Sequence, residues 1–527
     1  MKKLEWYHWV IFGLVALLIV QSIYLFNQLD NQSSKITSTS TTKKQDTLSV
    51  AEVKKDTSAL ELLQLFLDSL KNSEELKNAA WGFCLKSIDG DSVVSSYNEN
   101  LSIVPASVMK AVTTGVALDL LGANYSFSTR LQYHGEMKKD KKKLNGDIVI
   151  KGGGDPTLGS SVFGGCEPEA VINKWVAAIK KLGVDTINGS IIADDRLFEF
   201  DIVPAGWAWE DMQGDYCSGA CGLSFAENMY NIKACCFGDS MRYSTYPEVP
   251  GLKLYNQMAI GTEANTFAFV TGSPYMNHRF IRGNATSGEV SLQVQSQTPD
   301  PALMVSYNLL KALRKNGIVV TDTAVAVRSN LKLIRKLNQV KEFKTIHTIY
   351  SPSLLSIVNH TNHVSQNFYA ETLLKMIAVK VKGHGSTYGG AMVIREYMAS
   401  KGIDVSGLYQ VDGSGVSRYN AITPKQLTSL LAYFAKDSTF NFENYYQSLP
   451  IVGVSGTVAK LCKGTKAENN IHAKSGYMSR VRSYAGYVTS KSGKLLSFTM
   501  MSNNHGISAI EMRDKWEKLM VLMAELD

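Results

Sequence analysis

The sequence PASVMKAVTTGVALDLLG, residues 105–122, holds the pattern that decides the fold. It predicts a helix from Ala106 to Leu121, because a proline precedes the apolar run and a glycine follows it. Ser107 and Lys110 form an S-x-x-K motif in the first turn, where their spacing places both side chains on one face. A neutral lysine amine can take the proton of a serine hydroxyl, and a helix N-terminus favours the resulting negative charge. The pair is therefore a candidate nucleophile with its base.

The two ends of the chain carry the elements of one predicted α/β domain. The N-terminal part predicts an amphipathic helix and a β-hairpin, and the C-terminal part predicts strands followed by an amphipathic helix. These elements are Ala59–Lys71, Ala80–Ile88, Ser92–Tyr97, Ile471–Ala473, Arg482–Thr489, Leu495–Ser502 and Ala509–Leu526. Short strand-like runs fill the middle of the chain. The sequence therefore predicts a domain formed by residues 58–129 and 334–527, with residues 130–333 inserted as one or two small β-rich domains.

Composition excludes several classes of protein. Of the 527 residues, 45% are hydrophobic and 19% are charged, which excludes a disordered chain. The net charge of +8 is too diffuse to indicate a nucleic-acid partner. Only one apolar run is long enough to span a bilayer, which excludes a multi-pass membrane protein.

That apolar run lies at the N-terminus. No Asp, Glu, Lys or Arg occurs from Trp6 to Leu29, and aromatic residues stand at both ends, as at membrane interfaces. The pattern favours an uncleaved membrane anchor at residues 1–29, with a cleaved signal peptide or a buried core helix as the alternatives. Residues 30–57 are mostly polar, which predicts a flexible tether between this segment and the folded body.

Four of the seven cysteines fall in one short stretch, at Cys217, Cys221, Cys235 and Cys236. The pattern favours one or two disulfides if the body lies outside the cytoplasm. Free buried thiols and a structural zinc site are the alternatives, although adjacent cysteines fit one tetrahedral centre poorly.

A second motif, S-x-N, stands at Ser365 to Asn367, just before a helix predicted over Asn367–Lys382. A loop at this place can present a hydroxyl that relays a proton and an amide that binds a substrate backbone. Taken singly, however, Ser365 fits an ordinary helix N-cap.

A third motif, Lys474-Ser475-Gly476, lies in the extended run from Ile471 to Tyr477. On a strand edge, a lysine and a hydroxyl can hold a carboxylate, and a glycine lets the substrate approach the backbone. The rival copy, Lys491-Ser492-Gly493, reads as a hairpin turn. A rival S-x-x-K, from Ser329 to Lys332, lies in a strand-like run that would place its side chains on opposite faces.

The three motifs in this order resemble the active-site serine penicillin-recognising enzymes. Four further runs are similar to one branch of them, the D-alanyl-D-alanine carboxypeptidase/endopeptidase family of class C low-molecular-mass penicillin-binding proteins. These runs are Gly153–Leu158, Ala193–Phe198, Gly206–Asp211 and Asp412–Asn420. That branch carries a large insert between its first and second motifs, as this chain does. The resemblance extends from about residue 58 to the C-terminus.

The resemblance implies catalytic roles for the first two motifs. Ser107 would be the acylated nucleophile, and Lys110 would be its base, with a Ser365–Lys474 pair as the alternative base. Ser365 would relay a proton to the leaving group. The implied fold is a two-segment penicillin-recognising domain, like that of β-lactamases and transpeptidases, with an antiparallel sheet, helices and a large β-rich insert.

The resemblance also implies the groups that bind substrate. Asn367 would bind the substrate amide, while Lys474 and Ser475 would hold the terminal carboxylate beside Gly476. The backbone N–H groups of the nucleophile and of Tyr477 would form the oxyanion hole. Lys-Ser-Gly replaces the usual Lys-Thr-Gly of the family, and the hydroxyl is kept.

Two further residues match a specificity pocket of the family. Asp211 would take the ammonium and Arg418 the carboxylate at the side-chain end of diaminopimelate. The alternative is that Asp211 caps a loop and Arg418 makes a surface salt bridge, which would be worth little.

The implied activity is that of a penicillin-sensitive, serine-type D-Ala-D-Ala carboxypeptidase/endopeptidase. It would act on peptidoglycan outside the cytoplasm, with β-lactams as further ligands, a membrane contact through the N-terminal segment, and no cofactor, metal or nucleic acid. The alternatives are a binding or scaffolding protein of this fold that has lost turnover, and a β-lactamase-like hydrolase.

Overall fold

The structure, a computed structural model, describes residues 57–212, 216–237, 240–260, 266–285 and 289–527. The predicted anchor at residues 1–29 and the predicted tether at 30–57 lie outside these ranges, apart from Thr57. In the described part of the chain, no helix is both long enough and apolar enough to cross a membrane. Residues 59–527 form one unit.

The helices follow the apolar periodicity of the sequence, as in the first helix, where Leu63, Leu67 and Leu70 form the buried face. The α-helices are α1 (Ala59–Lys71), α2 (Met109–Leu121), α3 (Pro168–Lys180), α4 (Pro301–Lys315), α5 (Leu331–Asn338), α6 (Leu354–Val364), α7 (Asn367–Lys382), α8 (Thr387–Ser400), α9 (Pro424–Lys436), α10 (Phe442–Ser448) and α11 (Ala509–Ala524).

The strands divide into those of the two chain ends and those of the middle. They are β1 (Ala80–Ser87), β2 (Val93–Tyr97), β3 (Ser128–Tyr133), β4 (Glu136–Lys138), β5 (Lys143–Asn145), β6 (Ile148–Lys151), β7 (Thr186–Asn188), β8 (Ile191–Asp194), β9 (Met229–Phe237), β10 (Ser240–Tyr246), β11 (Lys253–Ile260), β12 (Phe267–Thr271), β13 (His278–Ala285), β14 (Glu289–Gln297), β15 (Val319–Val320), β16 (Ala324–Ala326), β17 (Lys344–Tyr350), β18 (Ile471–Met478), β19 (Val481–Thr489) and β20 (Leu495–Asn503).

One antiparallel sheet joins the two ends of the chain in the order β18-β19-β20-β1-β2. Strands β1 and β20 pair along their length, from Ala80 opposite Asn503 to Ser87 opposite Leu496. Helices α1 and α11 pack on one face in a core that includes Trp81. A second core, under the other face, contains buried residues of α2 and of α6 to α9. The result is a sheet between two layers of helices, with β18 as an edge strand.

In the described ranges, the middle of the chain forms four further sheets. Their orders are β10-β9-β14, β11-β13-β12, β15-β7-β5-β4 and β16-β8-β6-β3-β17. Helices α3 and α4 pack with these sheets in a separate core around Trp175. The boundaries at residues 129/130 and 333/334 stay predictions.

Two expectations from the sequence are wrong in this part of the fold. Ser329 to Lys332 lie not in a strand but at a 3₁₀ turn followed by α5, because the Asn330 side chain accepts the Leu333 N–H and caps that helix. The expected disulfides are absent among the described cysteines: Cys217 and Cys221 are free and buried, and Cys235 is free and exposed on β9. The Cys221 thiol donates to an Asp195 carboxylate oxygen instead, at 3.4 Å.

Candidate active site

Ser107 lies in a tight turn at the start of the second helix. The predicted helix begins as a 3₁₀ turn, Ala106–Val108, and becomes α-helical at Met109. Ala106 has a φ of +51°, in the left-handed region that is costly for a residue with a side chain. Ser107 is only 7% exposed, and its Oγ lies 2.9 Å from the Lys110 Nζ. The structure therefore brings the two residues of the first motif into contact, as their spacing predicted.

Lys110 is fully buried, and its amine makes three hydrogen bonds. Its Nζ donates to the Asn367 Oδ1 at 2.6 Å and to the Ser414 carbonyl at 2.7 Å, besides its contact with Ser107. Burial lowers the pKa of Lys110 to about 7, although the nearby carboxylates of Asp412 and Glu371 oppose this shift. A large fraction of Lys110 is thus neutral near neutral pH, as a base must be.

Ser365 and Lys474 form a second hydrogen-bonded pair. Ser365 lies between α6 and α7 with a φ of +61°, and its Oγ accepts a hydrogen bond from the Lys474 Nζ at 2.9 Å. The N-cap interpretation of Ser365 is wrong, because Gln366 occupies the N-cap position of α7. Lys474 is fully buried on edge strand β18, and burial, together with the nearby Lys110, lowers its pKa.

The rival third motif lies at a hairpin turn, as the sequence predicted. Lys491 stands between β19 and β20 and forms an exposed ion pair with Asp527 at 2.9 Å. It lies beyond the end of β19 at Thr489, whereas the third motif pairs with Ser483 to Ala485 in the middle of that strand.

The remaining motif residues surround these two pairs. Asn367 is the first residue of α7, and its Nδ2 donates to the Tyr216 carbonyl at 2.9 Å. The Ser475 hydroxyl donates to the Thr457 Oγ1 at 2.7 Å. Gly476 passes so close to the nucleophile turn that a Cβ there would lie 2.7 Å from the Pro105 carbonyl oxygen. Tyr477 is half-exposed at the end of the same strand.

Sequence reasoning missed two buried carboxylates beside Lys110. Glu371 follows Asn367 by one helical turn on α7, and Asp412 begins a run that the sequence marked only by resemblance. Both are fully buried. Burial and the charge of Asp412 raise the pKa of Glu371 to about 7, and burial also raises the pKa of Asp412. The sequence did offer one sign of a functional carboxylate, because Glu371 is a glutamate on the buried face of an apolar helix.

Asp211 and Arg418 also meet, at the border of the insert. The Arg418 Nη1 lies 2.8 Å from the Asp211 Oδ2, and its Nη2 lies 2.9 Å from the Glu210 Oε1. The Arg418 side chain is 41% exposed. The two candidate specificity residues are thus paired with each other in the free protein.

No group of three or more His, Cys, Asp and Glu side chains in the described part of the chain is placed to hold a metal ion.

A buried serine in contact with a buried lysine, with a second serine–lysine pair at a sheet edge, is the arrangement typical of serine hydrolases of the penicillin-recognising class. A model of the D-Ala-D-Ala carboxypeptidase 3 (S13) family matches residues 63–526, and the chain belongs to this family. The prediction of the family is therefore confirmed.

Individual relatives agree with this assignment. The chain is 26% identical over 453 residues to a D-alanyl-D-alanine carboxypeptidase of an Actinomadura species, across 83% of this chain and 80% of that protein. It is 22% identical over 439 residues to the D-alanyl-D-alanine carboxypeptidase DacB of Haemophilus influenzae, across 82% and 87% of the two chains.

The crystal structure of penicillin binding protein 4 from Haemophilus influenzae matches the fold with a TM-score of 0.70 and 21% identity, across 86% of this chain and 97% of that one. The predicted fold class is confirmed by this match. From its family, the chain is a serine-type D-Ala-D-Ala carboxypeptidase whose substrate class is peptidoglycan.

Proposed function

We propose that this chain cleaves the terminal D-Ala from peptidoglycan stem peptides through an acyl-enzyme on Ser107. The observation that carries the proposal is the convergence of the motifs, with Lys110 in contact with both Ser107 and Asn367. Lys474, in contact with Ser365, completes the set from the sheet edge. Cross-links that contain the same D-Ala carbonyl would be cut by the same chemistry.

In the acylation step, the neutral Lys110 amine takes the hydroxyl proton while the Ser107 Oγ attacks the carbonyl carbon of the penultimate D-Ala. The N–H groups of Ser107 and Tyr477 stabilise the oxyanion. The C–N bond then breaks, and the departing amine receives a proton from Lys110 through Ser365. The products are free D-Ala and an ester on Ser107.

Water completes the cycle by attacking the ester. Lys110 accepts a proton from the water, and the ester bond breaks to release the shortened peptide. Lys110 then gives this proton to the Ser107 Oγ, which restores the hydroxyl and the neutral amine. During the first step, the substrate carboxylate would be held by the Lys474 ammonium and the Ser475 hydroxyl. A β-lactam bears a carboxylate at the same place, and penicillin binding protein 4 of Haemophilus influenzae has been solved with a β-lactam.

Mass spectrometry after incubation with benzylpenicillin tests this proposal. We expect one covalent adduct on Ser107, no adduct on Ser107→Ala, and release of D-Ala when purified muropeptides replace the drug. Ser329→Ala, in the rival S-x-x-K motif, is the matched control and should keep the adduct. An unmodified Ser107 after long incubation, or an adduct that persists in Ser107→Ala, would contradict the acyl-enzyme.

We further propose that residues 1–29 anchor the body to the outer face of the cytoplasmic membrane. Lys2 and Lys3 precede the apolar run, which permits this orientation. The full-length protein should therefore sediment with membranes, and a reporter fused at Asp527 should be active outside the cytoplasm. Recovery of the intact chain in the soluble fraction alone would contradict the anchor.

Asp211 and Arg418 are proposed to recognise the side-chain end of diaminopimelate. Its ammonium and carboxylate together match this acid–base pair, so each residue would exchange its partner for the substrate group of opposite charge. One charged hydrogen bond at a partly exposed site is worth about 1.5 kcal/mol, or roughly tenfold in affinity. Arg418→Ala and Asp211→Ala should each lower kcat/KM on diaminopimelyl peptides by about that factor.

Penicillin acylation separates this role from a direct catalytic one. Benzylpenicillin lacks the diaminopimelate group, so both variants should be acylated at the wild-type rate. A stem peptide with lysine in place of diaminopimelate lacks the side-chain carboxylate, and Arg418→Ala should barely affect its cleavage. Equal losses on peptide and penicillin would contradict the recognition role.

A further inference from the structure

The carbonyl that binds Lys110 belongs to a short buried segment, Asp412–Ser417, which we name the lysine loop. The loop presents the Ser414 carbonyl to the Lys110 Nζ at 2.7 Å. Several residues of the loop are fully buried, including Ser414 and Ser417. The position of this carbonyl therefore depends on what holds the loop's backbone.

Glu371 holds the centre of the loop from α7. Its carboxylate accepts the Gly413 N–H, with both oxygens at 3.1 Å, and the Ser414 N–H at 2.8 Å. The N–H that Glu371 holds and the carbonyl that binds Lys110 both belong to Ser414. The carboxylate of Glu371 thus fixes the residue whose carbonyl binds Lys110.

Asp412 holds the same loop from within. Its carboxylate accepts the N–H groups of Gly415 at 2.8 Å and Ser417 at 2.6 Å. The Trp207 indole and the Asn420 amide also donate to it, at 3.0 and 2.7 Å. Asp412 therefore shapes the loop, while Glu371 ties the loop to the helix that carries Asn367.

The loop also touches the nucleophile turn. Gly415 has a φ of +84°, and a Cβ there would lie 1.9 Å from the Ala106 carbonyl oxygen, so the two backbones are in direct contact. A shift of the loop would then displace the turn that carries Ser107. This contact therefore affects where Ser107 lies, and not only how reactive it is.

A neutral lysine amine has two N–H groups and one lone pair. When Asn367 Oδ1 and the Ser414 carbonyl take the two N–H groups, the lone pair is left facing the Ser107 hydroxyl. We propose that Glu371 is a positioning residue, whose carboxylate fixes the Ser414 carbonyl and so aims the lone pair of Lys110 at Ser107. This inference rests on the proposed role of Lys110 as the base.

The charge of Glu371 adds a measurable consequence. The groups that face Lys110 are Glu371 on α7, Asp412 on the lysine loop, Cys217 of the insert and Lys474 on β18. Without the negative charge of Glu371, the ammonium form of Lys110 would be less stable, and the pKa of Lys110 would fall further. The acid limb of the pH profile, in which the acylation rate rises as Lys110 loses its proton, should then move to lower pH. Loss of packing alone would not cause this shift.

Glu371→Gln tests the proposal in the full-length protein. Its amide keeps the shape, but its NH₂ group would face a backbone N–H of the loop. We expect penicillin acylation at the pH plateau to fall roughly 10- to 100-fold, since a misplacement of about 1 Å can cost 10²-fold. The acid limb should shift to lower pH. Thr372→Val is the matched control, because the Thr372 hydroxyl is equally buried on α7 but donates only locally, to the Phe368 carbonyl at 3.0 Å.

Glu371→Asp supplies an independent variant that keeps the charge but shortens the reach. Its acylation rate at the pH plateau should fall, while the acid limb of its pH profile stays near that of the wild type. Wild-type rate and pH profile in Glu371→Gln would overturn the proposal, and if that variant does not fold, an unchanged plateau in Glu371→Asp would do so. A wild-type enzyme that is never acylated would instead overturn the proposed function.

Discussion

Lys110→Ala is expected to slow penicillin acylation of Ser107 by roughly 10²- to 10⁴-fold, the usual contribution of a positioned base. The Lys110 amine lies 2.9 Å from the hydroxyl that must lose its proton, and burial sets its pKa at about 7. Below that pH the ammonium has no lone pair to offer. The acylation rate of the wild type should therefore rise with pH through about 7, and this limb should be lost in Lys110→Ala.

Ser365→Ala provides the comparison that separates the two candidate bases. If the Ser365–Lys474 pair were the base, Lys110→Ala would keep a pH-dependent acylation limb and Ser365→Ala would lose it. Stopped-flow acylation rates across pH, measured on both variants with thermal unfolding as the folding control, distinguish these outcomes. A rate in Lys110→Ala within tenfold of the wild type would contradict Lys110 as the base.

The motifs were predictable from the sequence because each has a local cause. The spacing of Ser107 and Lys110 within one helical turn sets their contact, whatever the rest of the fold does. The apolar periodicity of residues 59–71 likewise fixed the bounds of α1. Edge strand β18 followed from the extended run around Lys474.

The predictions that failed concern residues whose partners are distant in the chain. Ser365 looked like an N-cap, since its partner Lys474 lies 109 positions away. Glu371 carried no motif, because its partners are backbone N–H groups of a loop some 40 positions later. The cluster of Cys217, Cys221, Cys235 and Cys236 favoured one or two disulfides, but a cysteine pattern does not say which thiols face each other in the fold.

Lys474→Ala is expected to lower penicillin acylation by roughly 30- to 4,000-fold, since removal of one partner of the buried charged pair that Lys474 would form with the drug carboxylate costs about 2–5 kcal/mol. Lys474 is fully buried and donates to the Ser365 hydroxyl at 2.9 Å. In the complex, it would also meet the carboxylate of the drug. Its removal should therefore weaken both the proton relay and carboxylate binding.

Lys491→Ala is the matched control, as Lys491 heads the second Lys-Ser-Gly sequence but sits exposed in an ion pair with Asp527. Exposed pairs contribute little, so this variant should be acylated within about twofold of the wild-type rate. Penicillin methyl ester, which lacks the charged carboxylate, divides the loss in Lys474→Ala into its two parts. A smaller loss on the ester than on the free acid would assign the difference to carboxylate binding, whereas equal losses would place the whole effect in the contact with Ser365. A wild-type rate in Lys474→Ala, or a large loss in Lys491→Ala, would contradict the assignment of the third motif to the edge of β18.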